Sequence, residues 1–289
     1  MSARIERVGV VGGGQMGAGI AEVCARAGLE TVVCEVDRPA AESARTRIAA
    51  SLERAVRRGK TDRDAADAAL ARLVFTADLD ALADRQLVVE AVSENPEVKS
   101  ELFAVLDKTV GDPDAVLATN TSSLPVVRLA MATQNPGRVV GLHFFNPVPA
   151  MPLVEVVETL HTAPQVLAAA EEFASGVLGK RVIRSQDRAG FLVNTLLVPY
   201  LLSAIRMTES RFASPEDIDE GMEHGCAHPM GPLRLADLIG LDTVAAIAES
   251  LYEEFREPLY APPPLLKRMV EAGLLGRKAG RGFYEYGRS

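Results

Sequence analysis

The chain has 289 residues, with 31 basic and 39 acidic side chains and a formal charge of −8 when its four histidines are neutral. That length accommodates two modest domains with real cores, and the acidic balance, with no long basic run, argues against nucleic acid as the main partner. No apolar segment reaches membrane-spanning length, and the N-terminus enters a predicted strand almost at once, so neither a membrane partner nor a signal segment is expected and the location predicted is cytoplasmic. Cys24, Cys34 and Cys226 are far apart and form no CxxC pair. Reduced, buried thiols are expected, without a disulfide or a metal framework.

In chain order, the first predicted strand, Arg7–Gly12, runs into Gly12, Gly14 and Gly17 in G-x-G-x-x-G spacing, and a helical pattern follows through Ile20, Val23 and Ala27. Gly12 permits a tight turn, Gly14 a close approach of backbone to a pyrophosphate, and Gly17 close packing of helix on sheet. The phosphates would sit at the positive end of the helix, against a loop that also contains Gln15 and Met16. The next strand, Glu30–Val36, carries Glu35, 18 residues after Gly17, where an acid would accept from the adenosine ribose hydroxyls. A carboxylate there favours NAD over NADP, although Arg38 close by could meet a 2′-phosphate if Glu35 swung aside, so NADP stays open.

Further strands are predicted at Leu87–Val92, Ala115–Thr119, Val139–Phe144, Leu153–Val157 and Arg181–Arg184, with helices at Pro39–Arg58, Pro96–Val110 and Leu124–Ala132. Leu87–Val92 reads as apolar throughout, as a strand covered on both faces should. The alternation predicts an α/β fold, an N-terminal Rossmann-type, doubly wound and mostly parallel sheet. The character changes after Asp187, where Val193–Met207, Pro215–His224, Pro232–Phe255 and Pro264–Ala272 all read as helices. We therefore expect a nucleotide-binding domain over 1–186 and a smaller all-helical C-terminal domain over 187–289. Its apolar faces, with Leu196, Leu197, Tyr200 and Leu201, suggest a homodimer.

Three segments could carry chemistry. Asn120-Thr121-Ser122-Ser123 follows a strand and would face the cleft beyond the sheet, or Ser122 or Ser123 could simply cap the next helix. His143 ends an apolar strand in Gly141–Pro149. Glu155 shares a face with Leu153 and Val157, a costly place for an unpaired acid. A hairpin-like return could join the two as an acid/base dyad; the alternative is a structural histidine and a solvent-facing glutamate. His161, His224 and His228 read as structural. Asn194, near the start of the helical domain, could reach a ligand or cap a helix.

These strings, together with Gly190–Asn194, His228–Pro232 and Gly280–Tyr284, resemble the L-3-hydroxyacyl-CoA dehydrogenase family over nearly the whole chain, and within it the short bacterial 3-hydroxybutyryl-CoA dehydrogenases. The resemblance implies an NAD-dependent exchange of hydride between (S)-3-hydroxyacyl-CoA and 3-ketoacyl-CoA. It makes His143 the catalytic base, Glu155 its orienting acid, and Ser122 and Asn194 the groups that hold the substrate. Glu35 falls on the family's ribose-binding position, usually Asp, while Glu94, Lys99, Asn120 and Lys278 fall on further NAD contacts. Ser51 and Arg58 fall on coenzyme A contacts. Two rivals differ in class: a dehydrogenase of free β-hydroxyacids working through a lysine, and a non-catalytic NAD-binding relative. Asn194 stands where the first would need its lysine, and Ser122, His143, Glu155 and Asn194 together argue against the second.

Overall fold

The computed structural model describes residues 5–287; the outermost residues of the two predicted domains, 1–4 and 288–289, lie outside the described residues. The chain divides after Arg188 into two compact units.

In the first unit the elements run β1 (Arg7–Val11), α1 (Gln15–Arg26), β2 (Glu30–Cys34), α2 (Arg38–Arg57), α3 (Arg63–Ala71), β3 (Leu73–Thr76), β4 (Leu87–Glu90), α4 (Pro96–Thr109), β5 (Val116–Thr119), α5 (Val126–Ala130), β6 (Val139–Phe144), β7 (Leu153–Glu158), α6 (Pro164–Glu172) and β8 (Arg181–Gln186). One eight-stranded sheet has the order β3-β2-β1-β4-β5-β6-β7-β8, parallel throughout except where β6 meets β7. Strands β1, β4, β5 and β6 are almost wholly buried, as crossovers packing helices on both faces require. The order reverses between β1 and β4, which marks the crevice beyond their carboxyl ends as the place for a ligand.

Four expectations need correction here. The pair α3–β3 and the helix α6 add to the predicted elements; the start signal of α3 is Asp62, whose side chain accepts from the Ala65 amide. The helix expected over Leu124–Ala132 shrinks to Val126–Ala130, because a residue before proline is driven away from helical ψ. Neither Ser122 nor Ser123 caps it; the Asp187 carboxylate does, accepting from Val126 N at 2.7 Å and Val127 N at 2.6 Å. Nor is Leu87–Val92 apolar throughout, since β4 ends in Glu90, which has no solvent exposure.

The second unit is helical: α7 (Val193–Glu209), α8 (Pro215–Gly225), α9 (Pro232–Ile239), α10 (Leu241–Phe255) and α11 (Pro264–Glu271). The single helix expected over Pro232–Phe255 is broken at Gly240, whose φ of +104° only glycine adopts without strain. Two buried aspartates tie this unit together. Asp219 accepts from Leu233 N and Arg234 N at the start of α9 and from the Tyr284 hydroxyl. Asp237 accepts from Phe283 N, Tyr284 N and the Tyr286 hydroxyl. Among the described residues no helix is long and apolar enough to cross a membrane. Cys24 and Cys34 are buried as expected, but Cys226 is exposed, at the end of α8 where the helix leaves the core.

Candidate active site

The glycine turn has the shape its spacing implies. Gly12 has φ of +91°, and a Cβ there would stand 2.7 Å from the Ala91 carbonyl oxygen on the turn after β4. A Cβ on Gly17 would collide with the carbonyl oxygen of Gly12. A Cβ on Gly14 would meet nothing within 4 Å, so the turn is open where a pyrophosphate would approach the N-terminus of α1. Glu35 reaches back to this loop, its Oε1 accepting from Gly13 N at 2.6 Å. Arg47 donates to the Gly13 carbonyl at 2.6 Å from α2. Gln15 donates to Asn146 Oδ1 at 3.1 Å, linking the loop to the turn after β6, a contact that sequence reasoning missed because the two residues are 131 positions apart.

Beyond β4 and β5 the carboxylates converge on the Asn120–Ser123 segment. Glu94 Oε1 accepts from the Thr121 hydroxyl, from Ser122 N at 3.0 Å, from Ser123 N at 3.2 Å and from the Ser123 hydroxyl at 3.0 Å. Burial opposes the charge on Glu94, yet the Lys99 ammonium and these donors outweigh it and hold the carboxyl below the usual range. Behind it, Lys99 is 1 % exposed and lies 2.6 Å from Glu90. Asn120 uses its side-chain oxygen to accept from Phe144 N at 2.9 Å, which ties the ends of β5 and β6 together.

His143 and Glu155 face each other directly across the antiparallel β6–β7 pair. His143 Nδ1 and Glu155 Oε2 are 2.6 Å apart, and Glu155 is fully buried. The alternative of a solvent-facing glutamate is therefore ruled out. With Nδ1 engaged by the carboxylate, Nε2 is the nitrogen suited to exchange a proton. The Phe145 ring lies 4.7 Å from the imidazole, tilted against it.

Ser51 and Arg58 line a cavity of about 550 Å³ together with Arg26, Arg54 and Lys60, a basic concentration suited to phosphate groups. Glu22, also on its wall, is buried, and that burial raises its carboxyl above the usual range despite Ser51, Arg26 and Arg54. The second unit holds the other two expected residues. Asn194 is buried in the first turn of α7, one residue past the helix start and so not its cap. Lys278 is paired with Asp242 at 2.6 Å. Among the described residues no cluster of metal-ligating side chains occurs.

The family model for the NAD binding domain of 3-hydroxyacyl-CoA dehydrogenase matches residues 7–188, and that for its C-terminal domain matches residues 190–286. The chain belongs to the 3-hydroxyacyl-CoA dehydrogenase family. A 3-hydroxybutyryl-CoA dehydrogenase of Mycobacterium tuberculosis is 62 % identical over 286 residues, 99 % of this chain and 100 % of the relative. The crystal structure of M. tuberculosis FadB2 matches with a TM-score of 0.97 at 62 % identity, covering 98 % of this chain and 99 % of that one. The (S)-3-hydroxybutyryl-CoA dehydrogenase PaaH1 from Ralstonia eutropha matches with a TM-score of 0.93 at 42 % identity, covering 98 % of this chain and 100 % of that one. The enzyme is an NAD-dependent oxidoreductase, which sets aside the non-catalytic reading, and its match to both 3-hydroxyacyl-CoA dehydrogenase domains sets aside the free-acid one.

Proposed function

We propose that this enzyme interconverts (S)-3-hydroxybutyryl-CoA and acetoacetyl-CoA, with His143 as acid/base and Glu155 as its partner. The observation that carries the reading is the 2.6 Å His143–Glu155 contact at the carboxyl edge of the sheet. The nicotinamide of bound NAD supplies the hydride acceptor, and that of NADH the donor. His143 Nε2 takes the proton of the 3-hydroxyl as the C3–H bond gives up its hydride, and returns it to the 3-keto oxygen in reduction. Glu155 keeps the ring in one tautomer and offsets the charge formed on the imidazolium. The Ser122 hydroxyl and the Asn194 amide hold the substrate oxygens. Gly12, Gly14, Gln15, Met16 and Gly17 receive the pyrophosphate side of the cofactor, and Glu35 the ribose hydroxyls. Glu94, Asn120, Lys99 and Lys278 complete the cofactor side, the first two from the carboxyl ends of the central strands. Ser51 and Arg58 bind the coenzyme A moiety.

The test is spectrophotometric, following NADH oxidation by acetoacetyl-CoA. His143→Gln is expected to lower kcat by roughly 10²–10⁴-fold while leaving NADH affinity within about twofold. Turnover at the unsubstituted level would overturn the assignment.

The reading includes a homodimer through the helical unit. On α7, Leu196, Tyr200, Ser203 and Met207 recur at helical spacing on one face, and Leu196 is 71 % exposed. It also places the enzyme in the cytoplasm, supported by its three free cysteines and checked by cell fractionation.

A further inference from the structure

Lys99 is almost wholly buried, and the proton and hydride transfers above do not use it directly. An ammonium has three N–H donors. Here they meet three acceptors: Glu90 Oε1 at 2.6 Å, Glu94 Oε2 at 3.1 Å and the Val92 carbonyl at 3.5 Å. Glu90 is equally committed. Its Oε1 also accepts from Val92 N at 2.7 Å, and its Oε2 accepts from the Thr119 hydroxyl at 2.7 Å. Thr119 in turn accepts from Thr121 N at 3.1 Å. Two chains of contact therefore leave this buried core for one destination. Glu90 reaches Thr121 through Thr119, and Lys99 reaches Ser122 and Ser123 through Glu94.

We infer that Glu90 and Lys99 are positioning residues for the reaction, which fix the Thr121–Ser123 turn and so place the Ser122 hydroxyl against the substrate. This rests on the reading of Ser122 as a substrate contact. Lys99 acts on that turn through Glu94, in addition to its place on the cofactor side. The electrostatics agree with the geometry. Glu90 and Glu94 share one ammonium, so removing Lys99 leaves two neighbouring carboxylates in repulsion with one of them fully buried. Either the buried Glu90 takes up a proton or Glu94, the more exposed of the two, shifts outward, and both changes disturb the contacts that hold the turn. A displacement on the order of 1 Å at a reacting group costs about 10²-fold in rate, so the turn need not unfold for the effect to be measurable.

The experiment uses the full-length enzyme with acetoacetyl-CoA and NADH. Lys99→Met, Glu90→Gln and Thr119→Val are each made alone and in a Ser122→Ala background, with thermal unfolding followed in parallel. Thr119→Val keeps the side-chain volume and removes only the two hydroxyl bonds, so it remains informative if the charged variants fail to fold. Each single variant is expected to lower kcat by about 10- to 100-fold, with the Kd for NADH within about twofold for Glu90→Gln and Thr119→Val. In the Ser122→Ala background the same substitutions should cost less than about threefold further, since groups acting through one another are not additive. Full additivity with Ser122→Ala overturns the inference. So does a Lys99→Met enzyme with unchanged kcat and NADH binding weakened tenfold or more, which would mean that contact with the cofactor is its whole role. If Ser122→Ala by itself leaves kcat unchanged, the underlying assignment of Ser122 falls, a result distinct from additivity.

Discussion

A carboxylate shut away from water inside a strand is costly unless another charge or several donors meet it, and Glu155 and Glu90 satisfy that demand in different ways. Glu155 meets an imidazole. Glu155→Gln keeps the shape but cannot offset an imidazolium, so kcat should fall on the order of 10²-fold or more, with little change in NADH affinity; equal turnover in the variant would remove Glu155 from the mechanism. Its pairing is legible in the sequence because the acid interrupts an apolar alternation 12 residues after a histidine. Glu90 is not legible: one acid at the end of an apolar run looks like a strand leaving the core, and its partners Lys99 and Thr119 come from two other elements. At the cofactor's ribose, the Glu35 carboxylate beside Gly13 disfavours a 2′-phosphate. Glu35→Ser, with Arg38 retained, is expected to raise kcat/KM for NADPH by about tenfold or more relative to NADH, measured with acetoacetyl-CoA. The thiols behave according to depth. Burial pushes Cys24 up to about 12 and, with Asp78 and Glu35 nearby, Cys34 up to about 11. In the native enzyme a thiol-specific chromogenic reagent should modify Cys226 rapidly and the other two only after unfolding; rapid modification of all three would contradict this burial.

At the scale of elements, the chemistry depends on one departure from parallel pairing. Antiparallel β6 and β7 set His143 opposite Glu155, and a slip of one residue would turn the acid to the other face. The strands and the helical character of the second unit are readable from periodicity, because long apolar or amphipathic runs leave strong signals. The α3–β3 pair is not, since β3 is a four-residue edge strand that pairs only with β2. Gly240 is equally silent, because a single glycine within an amphipathic run does not announce whether its φ is positive. The turn between β1 and α1 is the element least tolerant of change. Gly17→Ala would drive a methyl into the Gly12 carbonyl, and overpacking of this kind costs about 1–3 kcal/mol. NADH affinity measured by calorimetry should weaken by about tenfold or more, while an unchanged Kd would show that the turn yields without cost.

For the molecule as a whole, the face of α7 that exposes Leu196 and Met207 bears on assembly. Leu196→Glu should convert the proposed homodimer to a monomer in light scattering, and a variant that stays dimeric at micromolar concentration would place the interface elsewhere. The tail of the second unit leads to another expectation. Phe283, Tyr284 and Tyr286 supply four of the donors that satisfy Asp219 and Asp237, so a stretch of chain translated after all five helices completes the hydrogen bonding of carboxylates buried within them. A chain cut short before Phe283 takes three donors from Asp237 and one from Asp219, which keeps the amides of Leu233 and Arg234, and the product is expected to be less stable. A missing tail should be read out as lost protein before it is read out as lost activity.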